Sequence, residues 1–261
     1  MNTYDPEVYW TRVAGEVQRR PAENMLSGDS DPFLAYQRQK MLRRFLDKVE
    51  VAGRTVLEVG CGPGGNLLHL QRFKPRRTIG VDISSRMLDI ARQRLRGHQI
   101  ELLKTDGRRI ELPDQSADVT ITVTVLMHIT DDDMFHRLVA ELCRVTRHTL
   151  VLIEQTTRRQ PATMTADRHA TRRRIADYAD AVRANGLVVR DTEELRLRVS
   201  RIGCEVSRRI AGRAGRREGE PENAQARLLG SSWLLVSRWV DDFVSDDSTL
   251  TKQTFVRAQD A

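Results

Sequence analysis

The stretch from Arg54 to Phe73 constrains this chain more than any other. A β-branched run, Arg54–Val59, stops at four glycines within six residues, and Asn66–Phe73 follows with Leu67, Leu68 and Leu70 at helical spacing. That order reads as strand, tight turn, helix. The glycines satisfy two patterns at once: Gly60, Gly62 and Gly65 give G-x-G-x-x-G, while Gly60, Gly62 and Gly64 give G-x-G-x-G. Both serve one physical purpose, which is to let backbone lie against a ligand at φ values a side chain would resist. A second strand over Thr78–Ile83 and a helix capped by Ser84, with Met87, Leu88, Ala91 and Leu95 on one face, complete a βαβ unit.

The alternation continues. Strands are expected at Ile100–Lys104, Ala117–Val125 and Thr149–Gln155, with a helix over Asp132–Val145 between the last two. Such alternation implies a parallel sheet covered by helices on both faces. Beyond Gln155 the spacing predicts a helix over Ile175–Ala184 and a strand with some helical character over Leu187–Arg198. A helix over Ser231–Phe243 and a closing edge strand over Thr251–Ala258 follow. Before the first strand, Val8, Tyr9, Trp10 and Val13 form one amphipathic piece and Phe33–Leu46 another. Loops are expected at Asn24–Pro32 and Arg213–Asn223. The reading is an N-terminal helical cap over 1–50 and a ligand-binding domain over 51–261, whose part from about 156 forms the substrate side.

At 261 residues one main domain is the expectation. No apolar run is long enough to span a bilayer, and Asp5, Glu7 and Arg12 stand where a secretory signal would be apolar, so a cytoplasmic location and no membrane partner are expected. Cys61, Cys143 and Cys204 are too few and too scattered for a disulfide framework or a Cys-x-x-Cys metal site. The net charge of +7 and pI near 9.8 point to anionic partners. Only five of the 43 basic residues are lysines, so the arginine excess also fits a compositional bias.

The ligand is indicated by carboxylates at successive strand ends. Glu58, two residues before Gly60, would repel a pyrophosphate in a partly buried site, whereas it suits S-adenosylmethionine, which has an ammonium and a sulfonium and no phosphate. Asp82, 22 residues after Gly60, is placed for ribose hydroxyls, and Asp106-Gly107 for an adenine amino group. Singly, these residues read equally well as an exposed carboxylate, a helix N-terminal charge and a turn former. Together, over Arg54–Gln155, they resemble the class I S-adenosylmethionine-dependent methyltransferases: Glu58-x-Gly60-x-Gly62-x-Gly64, Val81-Asp82-Ile83-Ser84, Asp106-Gly107 and Asp118–Ile129 stand where that family carries its motifs. The resemblance implies a Rossmann-like seven-stranded, mostly parallel sheet whose last strand is antiparallel, with a helical insertion before it and the ligand at the carboxyl ends of the strands. It further implies S-adenosyl-L-methionine held by Glu58, Gly60, Cys61, Gly62, Asp82, Ile83, Met87, Asp106, Gly107 and Val123, and no metal.

Methyl transfer from a sulfonium is an in-line displacement, so a general base matters only where the acceptor has a proton to lose. His128, after the fourth strand, is the candidate for that role; packing is the alternative. Glu154, His169 and Tyr178 are secondary candidates, each more naturally structural. An Asn/Asp-Pro-Pro-aromatic sequence and a Pro-Cys nucleophile are both missing, which disfavours planar exocyclic amines and cytosine carbon. A small molecule, sugar or peptide terminus is expected as acceptor. An RNA acceptor and a catalytically silent S-adenosylmethionine-binding module are the other readings. Arg158, Arg159, Arg168, Arg172, Arg173 and Arg174, opposed locally only by Asp167, suggest that the acceptor is anionic, with a solvated basic loop as the alternative. Trp10 and Arg38, ahead of the first strand, are expected to close over the cofactor, Arg38 at its carboxylate.

Overall fold

The computed structural model describes residues 4–19, 32–158, 162–163, 169–210, 224–244 and 248–260. Most of the Asn24–Pro32 loop, the Arg213–Asn223 loop, Arg159, Asp167 and Arg168 therefore lie outside the described residues. The chain divides into two compact units, one of residues 1–14, 49–194 and 250–261, the other of 15–48 and 195–249.

The first unit is the α/β sheet. Its central strands are β1 (Thr55–Val59), β2 (Arg77–Asp82), β3 (Ile100–Lys104), β4 (Ala117–Val123) and β5 (Thr146–Thr157), ordered β3-β2-β1-β4-β5 and parallel. Every residue of β1 is buried, as expected of a strand covered on both faces. Helices α3 (Gly65–Leu70), α4 (Ser85–Arg94) and α5 (Asp132–Val145) make the crossovers. Ser84 caps α4 as the sequence predicts, its Oγ accepting the Met87 N–H, and Asp131 caps α5 in the same way at Met134. α5 buries Phe135, Leu138, Val139 and Leu142 on one stripe against Leu57, Ile79, Leu150 and Leu152 of the sheet. The amino ends of β1 and β4 are tied by Asp118, whose carboxylate accepts the Thr55 N–H at 2.8 Å and meets Arg76 and Arg147.

The carboxyl half adds β8 (Leu187–Leu195) and β9 (Ser248–Arg257), joined to β5 through β9, with α6 (Ile175–Arg183) before them. Two details depart from the sequence expectation. β9 is not an edge strand: it pairs with both β5 and β8, and Phe255 within it is fully buried. Its polar residues are engaged within the sheet unit: Thr251 bonds Thr156 and Lys252 pairs with Glu193 and Asp191. Two short strands were also unforeseen, β6 (Ala162–Thr163) and β7 (Thr171–Arg174), so the sheet has nine strands, among the described residues, around the expected seven-strand plan. The arginines at 172–174 hid β7, because alternation placed Arg173 inside and Arg174 outside.

The second unit is helical. α2 (Pro32–Arg44), α7 (Arg198–Ile210) and α8 (Ala224–Val240) pack together, and Asp241, fully buried, accepts from the Ser200 N–H at 3.0 Å, the Ser200 hydroxyl at 2.6 Å and Tyr36 at 3.3 Å. α7 was not anticipated, since Leu187–Arg198 read as one strand; β8 ends at Leu195 and the helix begins at Arg198. α1 (Pro6–Arg19) contributes its first half to the sheet unit and its second half to the helical one.

An interior β9 makes a specific demand on stability. Phe255→Ala should cost about 3–5 kcal/mol in urea denaturation, the range for emptying a buried aromatic site; a cost below about 1 kcal/mol would return β9 to an exposed edge.

Candidate active site at the strand ends

The carboxyl ends of β1, β2 and β4 meet at the glycine loop. After β1 the chain turns back on β2: Gly60 and Cys61 donate to the Val81 carbonyl at 2.7 and 3.0 Å, and Gly62 donates to Asp82 Oδ2 at 2.8 Å. Asp82 Oδ1 accepts the Ser84 N–H at 2.8 Å, so one carboxylate braces the loop and the next turn together. Burial raises the Asp82 pKa, opposed by those amides. Glu58 is buried at the end of β1, and its Oε1 accepts from the Asn66 side chain of α3 at 2.7 Å. The Cys61 thiol lies buried near these carboxylates; burial first, then the charges of Asp82 and Glu58, push its pKa well up, making it a neutral packing group.

The glycines have different reasons. All three of Gly60, Gly62 and Gly64 have positive φ. A Cβ on Gly60 would fall 2.3 Å from Val125 Cγ2, and one on Gly64 2.8 Å from Leu95 Cδ1, so these two are demanded by packing. A Cβ on Gly62, at φ +50°, would meet nothing within 4 Å. Gly62 thus presents bare backbone to open space beside Asp82, a cradle that a side chain would fill. Further along the edge, Ile83 and Gly107 face each other, Ile83 Cδ1 lying 3.2 Å from where a Gly107 Cβ would stand. Asp106 is exposed, and its Oδ1 accepts the Arg108 and Arg109 N–H groups, which lowers its pKa. Met87 is 1% exposed in the core face of α4. Val123 ends β4 half-buried, and the next residue, Thr124, holds a strained φ of +54°.

Beyond Thr124 the chain enters a turn, Leu126–His128. Glu154 holds it. Oε1 accepts the Val125 and Leu126 N–H groups at 3.0 and 2.9 Å and Oε2 the Met127 N–H at 3.1 Å, while Arg173 donates to the Leu126 carbonyl at 3.3 Å. Full burial raises the Glu154 pKa to about 7 against those amides. His128, the last residue of this turn, is half-buried with Nδ1 3.1 Å from the His169 carbonyl oxygen. The two imidazoles stack at 5.8 Å, Trp10 packs edge-on to His128 at 4.8 Å, and Tyr9 stacks on His169 at 4.6 Å. The start of α1 is fixed here by Thr11 to Ser84 at 3.1 Å and by Glu7 to Lys104 at 2.9 Å.

The structure therefore gathers Glu58, Gly60, Cys61, Gly62 and Asp82 at one loop, sets Ile83 against Gly107, and joins Trp10 to His128. Arg38 lies on α2 in the helical unit. Tyr178 is in the sheet unit's core. Of the arginine segment, Arg158 pairs with Glu194 and Arg173 with Asp132, partners the local sequence does not reveal, while Arg174 pairs with Asp177 one helical turn on. Tyr4 and Tyr9, which flank His169, and the Glu154 clamp were missed as site features. No local motif links residue 9 to residue 169, although a carboxylate closing β5 was visible.

Residues 56–149 match the model of a methyltransferase-domain family. Over this stretch the chain is similar to the class I S-adenosylmethionine-dependent methyltransferases. The chain is 32% identical over 98 residues to a fatty-acid O-methyltransferase of Mycolicibacterium smegmatis, covering 37% of this chain and 36% of that one. It spans less than half the length of the curated relatives it matches. The fold is similar to that of the [4+2]-cyclase SpnF (TM-score 0.65, 17% identity, 96% and 94% of the two chains). It is also similar to the magnesium protoporphyrin IX methyltransferase of Synechocystis with bound S-adenosylmethionine (TM-score 0.59, 14% identity, 99% and 100%).

Two outcomes separate the roles described. Gly60→Ala should lower the melting temperature sharply, because Val125 and the loop it sits on must move, whereas Gly62→Ala should cost only the positive-φ strain of about 1 kcal/mol; equal losses in parallel melts would refute the distinction. The folded-state pKa of Glu154 lies above the unfolded carboxylate value, so its ionisation opposes folding. That penalty is absent below pH 4.5, grows as pH rises, and is complete above about 7. Stability of the wild type should fall across this window relative to Glu154→Gln, and parallel pH profiles of the two would contradict it.

Proposed function

We propose that this chain binds S-adenosyl-L-methionine at the β1–β2 loop and catalyses methyl transfer to a small-molecule or lipid acceptor. The observation that carries the reading is the bare face of Gly62, open to space between the buried carboxylates Glu58 and Asp82. These residues fit the cofactor: carboxylates at β1 and β2 match an ammonium and ribose hydroxyls, and the packed Ile83–Gly107 pair offers apolar surface beside the exposed Asp106 for a flat base. When bound, S-adenosylmethionine supplies an electrophilic methyl group on a sulfonium. The matched relative, by its name, methylates a fatty acid on oxygen, which favours an acceptor of that kind.

The protein's own contribution is alignment, exclusion of water and proton removal. A backbone carbonyl can only accept, so the His169 oxygen requires the hydrogen on His128 Nδ1. In the neutral ring the lone pair then resides on Nε2. Nε2 is the atom we assign to take the acceptor's proton, with the His169 carbonyl fixing the tautomer and Glu154 fixing the turn. Trp10 and His169, the latter backed by Tyr9, cover part of the His128 ring, which limits water on that side.

The test is a turnover screen with S-adenosylmethionine against fatty acids, hydroxylated lipids and small amines, following S-adenosylhomocysteine. His128→Ala should lower kcat by about 10²–10⁴-fold at unchanged cofactor affinity. Asp82→Ala should weaken cofactor binding about ten- to a hundredfold by calorimetry, the loss expected for a charge-assisted hydrogen bond. Full turnover in the His128 variant would remove the base; cofactor binding without turnover on any acceptor would reduce the chain to a binding module.

A further inference from the structure

Within the helical unit, which buries Phe33, Met41, Phe45 and Leu46, the α7–α8 pair is built inside out. Along the α7–α8 seam the buried positions are small or polar: Ser200 bonds Ser237 at 2.8 Å and Asp241 at 2.6 Å, Ser207 bonds the Gly203 carbonyl at 2.8 Å, and Cys204 lies 3.9 Å from the Gly230 carbonyl. Gly203 leaves room for the Trp233 indole, which a Cβ there would overlap and whose N–H donates to the Val199 carbonyl at 3.1 Å. Apart from Leu234, the large apolar residues of the two helices are turned mostly outward. Of the twelve large hydrophobic side chains exposed among the described residues, eleven lie on α7, α8 and the turn that ends α8.

On α7, Ile202, Val206 and Ile210 form an exposed stripe at i, i+4 and i+8, with exposures of 45%, 45% and 68%. On α8, Leu228, Leu235 and Trp239 are 70%, 62% and 72% exposed, and Phe243 just beyond is 85% exposed. Chains folded in water rarely leave so many large apolar side chains uncovered on two paired helices. Small residues at the helix contact, side-chain hydrogen bonds between helices and apolar residues outside are the packing rules of helices against lipid.

The charge on the same helices selects the occupant. α7 carries four arginines and one glutamate, and α8 two arginines and no carboxylate. Arg209 and Arg238 are exposed, and Arg238 stands over the Trp239 ring at 5.7 Å. A second copy would bring one basic face against another, which disfavours self-pairing. An apolar face with aromatic residues and flanking arginines complements anionic headgroups over hydrocarbon. No helix among the described residues is long and apolar enough to cross a membrane, so the helices would lie in the interface.

From this we infer that the α7–α8 face docks on anionic lipid bilayers. The inference does not depend on the methyltransferase reading, and its test uses no turnover. The full chain is floated with vesicles of phosphatidylcholine alone and of phosphatidylcholine with phosphatidylglycerol, and its mass is measured in parallel by sedimentation. Wild type should float with the anionic vesicles and release at high salt. Trp239→Ser with Phe243→Ser, both exposed and unneeded for the seam, should weaken flotation about tenfold or more through lost apolar burial, and Arg209→Glu with Arg238→Glu should weaken it through charge. Both variants should keep wild-type circular dichroism and melting. Absence of flotation on either vesicle would overturn the proposal, as would equal binding to neutral vesicles or undiminished binding by the apolar variant. A stable dimer dissociated by Trp239→Ser with Phe243→Ser would also overturn it, making the face a contact between copies.

Discussion

A parallel sheet leaves backbone N–H groups in the loops at its carboxyl edge, and in this protein two buried carboxylates receive five of them. Asp82 takes those of Gly62 and Ser84, and Glu154 those of Val125, Leu126 and Met127. Each carboxylate loses hydration on burial and regains part of it as fixed amide dipoles, which is why both pKa values rise despite several hydrogen bonds. The ligand loop and the His128 turn are consequently held by the sheet itself. Rigid loops at the open end of an α/β sheet are the usual basis of a binding site.

The same arrangement explains why the site tolerates strain. Thr124 holds positive φ between Val123 and Val125, its N–H donating to Ile153 at 2.7 Å, and Gly60 is bare so that Val125 can cross it. The strain is held in place by contacts on both sides, as local outliers require. Similarity in fold to a [4+2]-cyclase as well as to a methyltransferase shows that the sheet alone does not choose a reaction. That choice is left to side chains at its edge, among them the proposed base His128, whose Nδ1 meets the His169 carbonyl.

The two units follow different packing logic. In the sheet unit, apolar side chains fill the interior, with Leu57, Ile79, Val139, Leu152 and Phe255 all buried. In the helical unit Phe33, Met41, Phe45 and Leu46 are buried, but between α7 and α8 a polar seam of Ser200, Ser237 and Asp241 occupies the contact, and most large apolar residues of these two helices are outside. A polar seam gives the helices defined hydrogen-bond partners and leaves their apolar surface available to another phase.

Sequence alone determined the sheet, the order of its first five strands and their helices, because period-two runs, helical spacing and capping residues such as Ser84 are local signals. It also placed Glu58, Gly62 and Asp82 together, because each sits at the end of a strand and parallel strands end on one side. Tertiary structure decided what depends on partners far along the chain. It put β9 inside the sheet through Thr156 and Glu193, engaged Arg158 and Arg173 with distant carboxylates, and brought Tyr9 to His169 and Trp10 to His128. It alone revealed α7, whose apolar residues face outward while its small polar residues face in: periodicity reports that a helix has two faces, and only packing decides which one is covered.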